Sequence, residues 1–289
     1  MKKKVLLQID HDEHASSFDS LVAIDSSVDH LLTYSSVTPI QIQPIIHGAI
    51  FTRGPKDLNN TAAFFGGSDV GRSIELFEQA RKCFFGPLRI SMMSDPNGSN
   101  TTAAAAVLCA MQHTDLKDKH VTVLAGTGPV GQRISRLVAS AGAKVTVCSR
   151  RMNRAQQVCD HIEKQTGIAA IPREAAVPAT AAAATEESEI VFAAGAAGIQ
   201  LLDESWLESN QSAELVLDIN AVPPVGIAGI ESMDKGESRH SKICYGAIGI
   251  GQLKMKIHKR CIAALFESNE HSLGTDEIFQ IGEQLISES

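Results

Sequence analysis

The chain has 289 residues, of which 44% are hydrophobic and 20% charged, and its formal net charge is −7. This length accommodates two domains with substantial cores, and the acidic balance argues against nucleic acid as the main partner. No run of about eighteen apolar residues is present, so no membrane partner is expected. The six cysteines show no CxxC pair, which predicts reduced thiols in a cytoplasmic protein.

The first part of the chain mixes candidate strands and helices. "KVLLQID" and "GPLRISMMS" have the composition of strands, whereas "FDSLVAID" and "SIELFEQARKCFF" carry helical apolar spacing. "DPNGSNTTAAAAVLCAMQH" predicts a turn at Asn97-Gly98 and then a helix, with Ser99 or Asn100 as its N-cap. This part therefore predicts an α/β domain.

From His120 onward, strand and helix patterns alternate regularly. The short apolar runs "HVTVLAG", "KVTVCS", "GIAAI", "EIVFAAG" and "ELVLDIN" predict parallel strands that are covered on both faces. "REAAVPATAAAATEES" predicts a crossover helix broken near Pro178. A last strand near "KICYGAIGIG" should lead through the glycine-rich turn "GAIGIG" to the helices "QLKMKIHKRCIAALFES" and "TDEIFQIGEQLIS". The predicted fold class is α/β, with a Rossmann-type parallel sheet.

A glycine motif lies between the first two strands of this sheet. Gly126, Gly128 and Gly131 form GxGxxG, preceded by a strand and followed by a helix and a second strand. The first glycine permits a tight turn, the second lets a pyrophosphate approach the backbone, and the third lets helix and strand pack closely. Phosphates then lie at the positive end of the helix dipole. The motif therefore predicts dinucleotide binding.

The second strand ends in Ser149-Arg150-Arg151, where an acidic residue most often accepts from the ribose of NAD. A hydroxyl and guanidinium groups, with Arg154 behind them, suit a 2′-phosphate through charge-assisted bonds. The alternative is a solvated helix start, which explains cations at a helix N-terminus poorly. The sequence thus favours NADP, and NAD stays an alternative because nothing visibly rejects it.

The usual proton-transfer and metal motifs are missing. There is no HExxH and no cysteine cluster, so no metal is expected. His11 and His14 are three residues apart but read better as exposed loop histidines. Neither Tyr34 nor Tyr245 is followed four residues later by lysine, which removes the Tyr-x-x-x-Lys proton relay. These absences fit a hydride transfer that needs no acid or base.

Several stretches point to one family. "GAIFTRGP", "FFGGSD", "FFGP", "DPNGSNTTAAA", "LAGTGPVG", "DINAVPPVGIAGI" and "GAIGIGQLKMKIH" span nearly the whole chain in order. With them the chain resembles the NAD(P)-dependent methylene-tetrahydromethanopterin dehydrogenases. The resemblance implies an N-terminal α/β substrate domain (1–112), a Rossmann NADP domain (113–250) and C-terminal helices (251–289) that return to the first domain. It also implies two domains that flank a cleft, and a homo-oligomer.

The implied reaction is hydride transfer from the methylene bridge of the pterin to NADP, which leaves a delocalised methenyl cation. No hydroxyl is deprotonated, so the protein need only orient the reactants, with the reacting carbons ~3–3.5 Å apart. The missing Tyr-x-x-x-Lys relay implies a dehydrogenase without cyclohydrolase activity. Two alternatives remain open: a methylene-tetrahydrofolate dehydrogenase and a non-catalytic NADPH sensor.

The resemblance also assigns site residues. Lys254 is the expected pterin contact, touching the ring and not the bridge, whereas Lys256 is the weaker choice because it lies on another helix face. Asp19 is expected to orient the pterin or stabilise the cation, with helix capping as its alternative. Asn97, Ser99 and Thr102 are expected at the pterin, although turn and cap roles explain the first two equally well. Gln252 stands where the family often has glycine. The remaining expected cofactor contacts are Gly126, Thr127, Gly128, Pro129, Val130, Gly131, Ser149, Arg150, Arg151, Ala194, Gly195 and Asn220.

Overall fold

The computed structural model describes residues 2–288. They divide into two compact units, residues 2–101 together with 255–288, and Thr102–Lys254. The first division falls within the helix Ser99–Met111 (α4), and the second within the helix Ala247–Ala264 (α9). Both units are α/β, which confirms the predicted fold class.

The first unit is built on a five-stranded parallel sheet. Its elements in chain order are β1 (Val5–Ile9), α1 (Ser17–Ile24), β2 (His30–Tyr34), α2 (Pro39–Ile50), β3 (Thr61–Phe65), α3 (Val70–Arg81), β4 (Ser91–Ser94) and the start of α4 (Ser99–Met111). The first four strands lie in the order β4-β3-β1-β2, so the order reverses between β1 and β3. Ligands of such sheets bind beyond the carboxyl ends of the strands at the reversal point.

The second unit holds a seven-stranded sheet, parallel except for one edge hairpin. After α4 come β5 (His120–Leu124), α5 (Pro129–Ser140), β6 (Lys144–Ser149), α6 (Met152–Thr166), β7 (Ile171–Glu174), α7 (Pro178–Ala184), β8 (Ile190–Ala193), α8 (Glu204–Ser209), β9 (Leu215–Asp218), β10 (Lys235–Arg239), β11 (Lys242–Tyr245) and the start of α9 (Ala247–Ala264). The order β10-β11-β9-β8-β5-β6-β7 reverses between β5 and β8. This is the Rossmann arrangement that the sequence predicts.

The chain ends in the first unit. After α9 come β12 (Ser272–Leu273) and α10 (Thr275–Ser287). β12 pairs in parallel with β4 and becomes the edge of the five-stranded sheet. The C-terminal segment therefore returns to the N-terminal unit, as the resemblance implies.

Each unit has its own apolar core. In the first, Ile42, Ile46 and Ile50 recur at helical spacing on α2 and pack with Phe65 of β3. In the second, Leu124, Val191 and Val216 from three adjacent strands pack with Trp206 of α8. Continuous apolar strands fit a parallel sheet with helices on its faces. No helix within residues 2–288 combines the length and the apolar character needed to span a bilayer.

Three local predictions need correction. The strand predicted at "GIAAI" begins only at Ile171, because α6 continues to Thr166 and ends on the left-handed Gly167 (φ 73°). Pro178 does not break a helix but begins α7, since proline fits the first helical position. "GAIGIG" is not a turn, because α9 already begins at Ala247. A Cβ at Gly249 would overlap the carbonyl oxygen of Asp234, so this glycine permits close packing.

Candidate functional site

The turn after β5 has the geometry that a dinucleotide cradle requires. Gly126 donates its N–H to the carbonyl of Cys148 on β6 (2.8 Å), and α5 follows with Gly128 as N-cap and Pro129 in its first turn. A Cβ at Gly131 would lie 2.7 Å from the Cα of Gly126, and a Cβ at Gly126 would lie 2.9 Å from the carbonyl oxygen of Val123. Both positions exclude any side chain, as the motif predicts.

Gly128 differs from the other two glycines because a Cβ there would fit without overlap. The nearest atoms to a Cβ there would be the carbonyl oxygens of Ala125 and Ala194, at 3.7 and 3.9 Å. The N–H groups of Val130 and Gly131, in the first turn of α5, have no partner within that helix and point beyond its end. This uncrowded backbone with outward N–H groups fits a pyrophosphate, and the residues present therefore fit the dinucleotide.

The end of β6 lies next to this turn. Ser149 is buried, and its Oγ is 3.3 Å from the Oγ1 of Thr127 and 3.4 Å from the backbone N of Arg151. The side chains of Arg150, Arg151 and Arg154 are exposed, and no ion pair forms with them within the described part of the chain. These three arginines lie at the start of α6, where positive charge is unfavourable because of the helix dipole. An anionic ligand bound there would offset this repulsion.

Two further predicted contacts follow the carboxyl end of β8. Ala194 donates its N–H to the carbonyl of Leu124 on β5 (3.0 Å), which fixes the loop beside the glycine turn. A Cβ at Gly195 would lie 3.1 Å from Cδ1 of Leu201, so the backbone is tightly packed there. Both residues lie at the point where the strand order reverses, the expected place for the ribose and nicotinamide.

Asn220 follows β9 and is buried. Its Nδ2 donates to the carbonyls of Ala196 (3.4 Å) and Pro224 (3.2 Å), and its Oδ1 accepts from the N–H of Val222 (3.0 Å). The side chain therefore holds the loops after β8 and β9 in place. A direct contact with the cofactor stays a prediction.

Asp218, the last residue of β9, supports the loop that follows this strand, and the sequence analysis does not single it out. Its carboxylate accepts from the N–H groups of Asn220 (3.0 Å) and Ile227 (2.9 Å). Burial raises the pKa of this carboxyl, and the backbone donors only partly oppose the effect. A Cβ at Gly226 would lie 2.6 Å from its Oδ1. The sequence signal for this position is an acidic residue at the end of the apolar strand "ELVLDIN".

A second cluster forms at the strand reversal of the first unit. Asp10 follows β1, and Gly66-Gly67 follows β3. A Cβ at Gly66 would lie 3.4 Å from Oδ2 of Asp10 and 3.5 Å from Oδ2 of Asp19, so both carboxylates face this glycine. Both are buried, and burial is the main cause that raises the pKa of Asp10. The sequence analysis identified Asp19 but missed Asp10.

The capping alternative for Asp19 is wrong. α1 begins at Ser17, and the Oγ of Ser16 accepts from the N–H of Asp19 at 3.2 Å. Ser16 is therefore the N-cap, and Asp19 is the third residue of the helix, with its carboxylate next to Gly66.

Hydrogen bonds connect the loop after β1 to the loop after β3. Asp12 accepts from the N–H and the hydroxyl of Ser68, both at 2.8 Å. His11 Nε2 accepts from the N–H of Asp69 at 3.0 Å. The expectation of an exposed His11 is wrong, because its side chain is only 5% exposed and packs over Gly67, whereas His14 is exposed as expected.

The predicted substrate residues at the start of α4 have mixed roles. Asp95 is the group that caps this helix, since its Oδ1 accepts from the N–H groups of Asn100 (2.8 Å) and Thr101 (3.1 Å). The prediction of Ser99 or Asn100 as N-cap is therefore wrong. Ser99 is buried and donates its hydroxyl to Pro96 (2.7 Å). Asn97 is exposed and left-handed (φ 52°), as its turn role requires.

The remaining predicted residues lie where the chain passes between units. Thr102 is the first residue and Lys254 the last of the second unit, and both are half-buried. Lys256 is exposed. His258, one turn after Lys254 on the same face of α9, is fully buried and stacks on Phe64 with ring centroids 5.5 Å apart. The sequence analysis did not single out this histidine.

Fold and turn together define a dinucleotide-binding α/β protein whose fold is of the shikimate dehydrogenase type. A family model described as Shikimate / quinate 5-dehydrogenase matches residues 108–235. The structure of shikimate 5-dehydrogenase from Listeria monocytogenes has the same fold, with a TM-score of 0.53, 13% identity and 96% of both chains covered.

Proteins of similar sequence identify the family to which the chain belongs. A model described as Methylene-tetrahydromethanopterin dehydrogenase, N-terminal, matches residues 17–97. "Bifunctional protein MdtA" of Methylorubrum extorquens is 42% identical over 287 residues, with 99% of this chain and 100% of the relative covered. The NAD(P)-dependent methylenetetrahydromethanopterin dehydrogenase of the same organism is 29% identical, with 93% and 94% covered. The chain belongs to the methylene-tetrahydromethanopterin dehydrogenase family, which confirms the resemblance.

Proposed function

We propose that this chain oxidises 5,10-methylene-tetrahydromethanopterin to the 5,10-methenyl form with NADP, as one step of one-carbon metabolism. One observation carries the proposal: a glycine turn that is uncrowded at Gly128 lies beside unpaired arginines, in a chain that is 42% identical to a family member over 99% of its length. NADP supplies the hydride acceptor when it is bound. The protein's own residues then have to bind the pterin and NADP, orient them and exclude water from them.

The second unit would hold the cofactor by its two ends. The N–H groups around Gly128 would bind the pyrophosphate. Ser149 would donate its hydroxyl to the 2′-phosphate, and Arg150 and Arg151 would form charge-assisted bonds with it. Ala194, Gly195 and the loop that Asn220 holds would border the ribose and nicotinamide, because they follow the strands that flank the reversal point.

The first unit would bind the pterin at its own strand reversal. The pterin ring carries adjacent N–H donors on its pyrimidine edge, and carboxylates such as Asp19 and Asp10 are matched acceptors. Gly66, which has no side chain, lies next to both carboxylates. Asn97 and Thr102 would add polar contacts, whereas Ser99 would contribute less directly, since its hydroxyl already donates to the carbonyl of Pro96.

Lys254 would hold a carbonyl or ring edge of the pterin. An ammonium beside the reacting carbon would oppose the cation that forms there, so the contact must be with the ring. The chain needs no catalytic acid or base for this step, because the bridge loses hydride and no proton. Orientation and the local field are what these residues supply.

Two secondary proposals accompany the function. Cysteine usage supports a cytoplasmic location: all six cysteines are unpaired thiols and five are buried. Burial raises the pKa of Cys109 and of Cys148 to about 12, so these thiols are unreactive and structural. We also propose a homo-oligomer, which the family resemblance supports.

The test is a spectrophotometric assay with the purified chain. Methylene-tetrahydromethanopterin and NADP should produce NADPH, with kcat/KM higher than for methylene-tetrahydrofolate or for NAD. Better use of the folate would make the chain a methylene-tetrahydrofolate dehydrogenase. If the chain binds NADP tightly but forms no NADPH with either pterin, it is not a dehydrogenase, and the NADPH-sensor alternative is favoured.

A further inference from the structure

A carboxylate lies beside the end of β6, although β6 itself ends without one. β6 and β7 pair in parallel, and the last residue of β6, Ser149, is in register with the last residue of β7, Glu174. The N–H of Ala175 donates to the carbonyl of Ser149 (2.8 Å). The acidic residue that NAD-binding sheets carry at the end of the second strand is thus present at the same level, but on the neighbouring strand.

The carboxylate of Glu174 is directed at the start of α6. Its Oε2 accepts from the backbone N–H of Met152 at 3.3 Å. Met152 is the first residue of α6, and the N-cap Arg151 makes no capping bond with its side chain. Glu174 therefore occupies one of the N–H groups that the first turn of α6 presents to a ligand.

The same helix turn carries the arginines proposed to hold the 2′-phosphate. Within residues 2–288, no ion pair joins Glu174 to Arg150, Arg151 or Arg154, and all four side chains are exposed. A carboxylate at this place opposes a phosphate dianion and accepts from a ribose hydroxyl. The negative charge of Glu174 therefore opposes the attraction between the arginines and the 2′-phosphate of NADP. It has no such effect on NAD, which lacks this phosphate.

We propose that Glu174 is a specificity-determining residue that limits the preference of this site for NADP over NAD. The inference rests on the proposed use of NADP. Repulsion weakens the complex with NADP, and the accepted hydroxyl supports the complex with NAD. The balance between Glu174 on β7 and the arginines after β6 then sets the ratio of the two affinities.

The direct test is Glu174→Gln, which removes the charge but keeps an oxygen that accepts from Met152. The dissociation constants of NADP and NAD are measured by calorimetry with the full chain at low ionic strength. NADP should bind about three- to tenfold more tightly, as expected for one screened like charge removed near a phosphate. NAD should bind equally well or more weakly. The change should shrink at high salt.

Two control variants separate charge from structure. Glu163→Gln removes the same charge from the last turn of the same helix, where the side chain is exposed, and it should change neither affinity. Glu174→Ala also removes the acceptor for Met152, and it should lower the Tm of the free protein, which Glu174→Gln should not. If only Glu174→Ala has an effect, and it weakens both cofactors equally, Glu174 is merely a cap and the proposal is overturned.

The parent protein distinguishes this failure from that of the proposed function. Equal affinity of the parent for NADP and NAD would contradict the proposed NADP preference, and with it this inference. A parent that prefers NADP, with a ratio unchanged in Glu174→Gln, would overturn only the role of Glu174. Because binding is the readout, neither result depends on which pterin the chain oxidises.

Discussion

The glycine turn after β5 and the carboxylate cluster after β1 occupy equivalent places in their sheets, yet they are built differently. Each lies beyond the carboxyl ends of the strands where the strand order reverses. The turn is one uninterrupted run, Gly126 to Gly131, and it presents backbone N–H groups. The cluster brings together Asp10, Asp19 and Gly66 from separate parts of the chain, and it presents side-chain oxygens.

This difference explains how each site tolerates change. A backbone site depends on the absence of side chains, so it fails when a Cβ is added. A side-chain site depends on tertiary contacts such as the bonds from Ser68 to Asp12, so it fails when a carboxylate or its support is removed. Substitutions in the two regions should therefore separate cofactor binding from pterin use.

The largest effect is expected at Gly131. In Gly131→Ala, the new Cβ would overlap the Cα of Gly126 (2.7 Å) and the carbonyl oxygen of Ala125 (2.9 Å). We expect a loss of about 1–3 kcal/mol in the free energy of unfolding from overpacking, and no measurable NADP binding. Urea unfolding and calorimetry check both results.

Gly128→Ala is the matched control for Gly131→Ala. Its Cβ would meet nothing closer than 3.7 Å, so stability should change by no more than about 0.5 kcal/mol. NADP binding should still weaken by about tenfold or more, because the methyl group occupies the approach of the pyrophosphate. If Gly128→Ala binds NADP like the parent, the phosphates do not lie on this turn.

The next effect concerns the substrate. Lys254→Ala should lower kcat/KM for the pterin by roughly ten- to a thousandfold, as for loss of a charged orienting contact, with NADP affinity nearly unchanged. Lys256→Ala, on an exposed face of α9, should do much less. If Lys254→Ala chiefly weakens NADP, this lysine does not hold the pterin, and the pocket must be sought around Asp19 and Asn97.

A smaller effect tests the phosphate end of the cradle. Arg150→Ala should weaken NADP by about 1–3 kcal/mol, the range for a charge-assisted hydrogen bond, and should leave NAD nearly unchanged. Arg239→Ala is not a suitable control, because Arg239 pairs with the buried Asp234 (2.6 Å). The exposed Arg72 on α3 serves better. Equal losses for NADP and NAD would remove Arg150 from the 2′-phosphate site.

The sequence predicts most of the second unit, because its signals are local. Apolar strands, a glycine spacing and the arginines after β6 are each readable within a few residues. The edge hairpin β10-β11 is the exception: its first strand is exposed and polar, so it has no apolar signature. The prediction of a turn at "GAIGIG" is wrong for a related reason. A glycine that permits close packing cannot be told from a glycine that makes a turn until the packing partner is known.

The first unit is less predictable because its site is tertiary. Four of its elements, β2, α2, β3 and β12, are absent from the sequence prediction. Asp10 and His11 look like parts of a charged surface loop, "DHDEH", until β3 places Gly66-Gly67 beside them. Only Asp19 was identified there, through the family resemblance. Burial, which decides the role of these side chains, depends on residues that are more than fifty positions away.

The last and smallest effect concerns two buried acids at strand ends whose carboxyl pKa is raised, Asp10 after β1 and Asp218 in β9. Burial raises the pKa of both carboxyls in the folded protein. The folded state then binds more protons than the unfolded state above the ordinary pKa of 3.8. The free energy of unfolding therefore falls as pH rises through that window, and it levels off above the folded pKa.

Asp218→Asn isolates this contribution, because asparagine does not titrate. We expect the parent to lose stability relative to the variant as pH rises from about 4, by at most about 1.4 kcal/mol per pH unit. Urea unfolding of both proteins at several pH values gives the difference. The acids with a lowered pKa, such as Asp29 and Glu189, are common to both proteins and cancel. A constant difference would show that the carboxyl of Asp218 titrates alike in both states, and that its N–H bonds to Asn220 and Ile227 offset its burial.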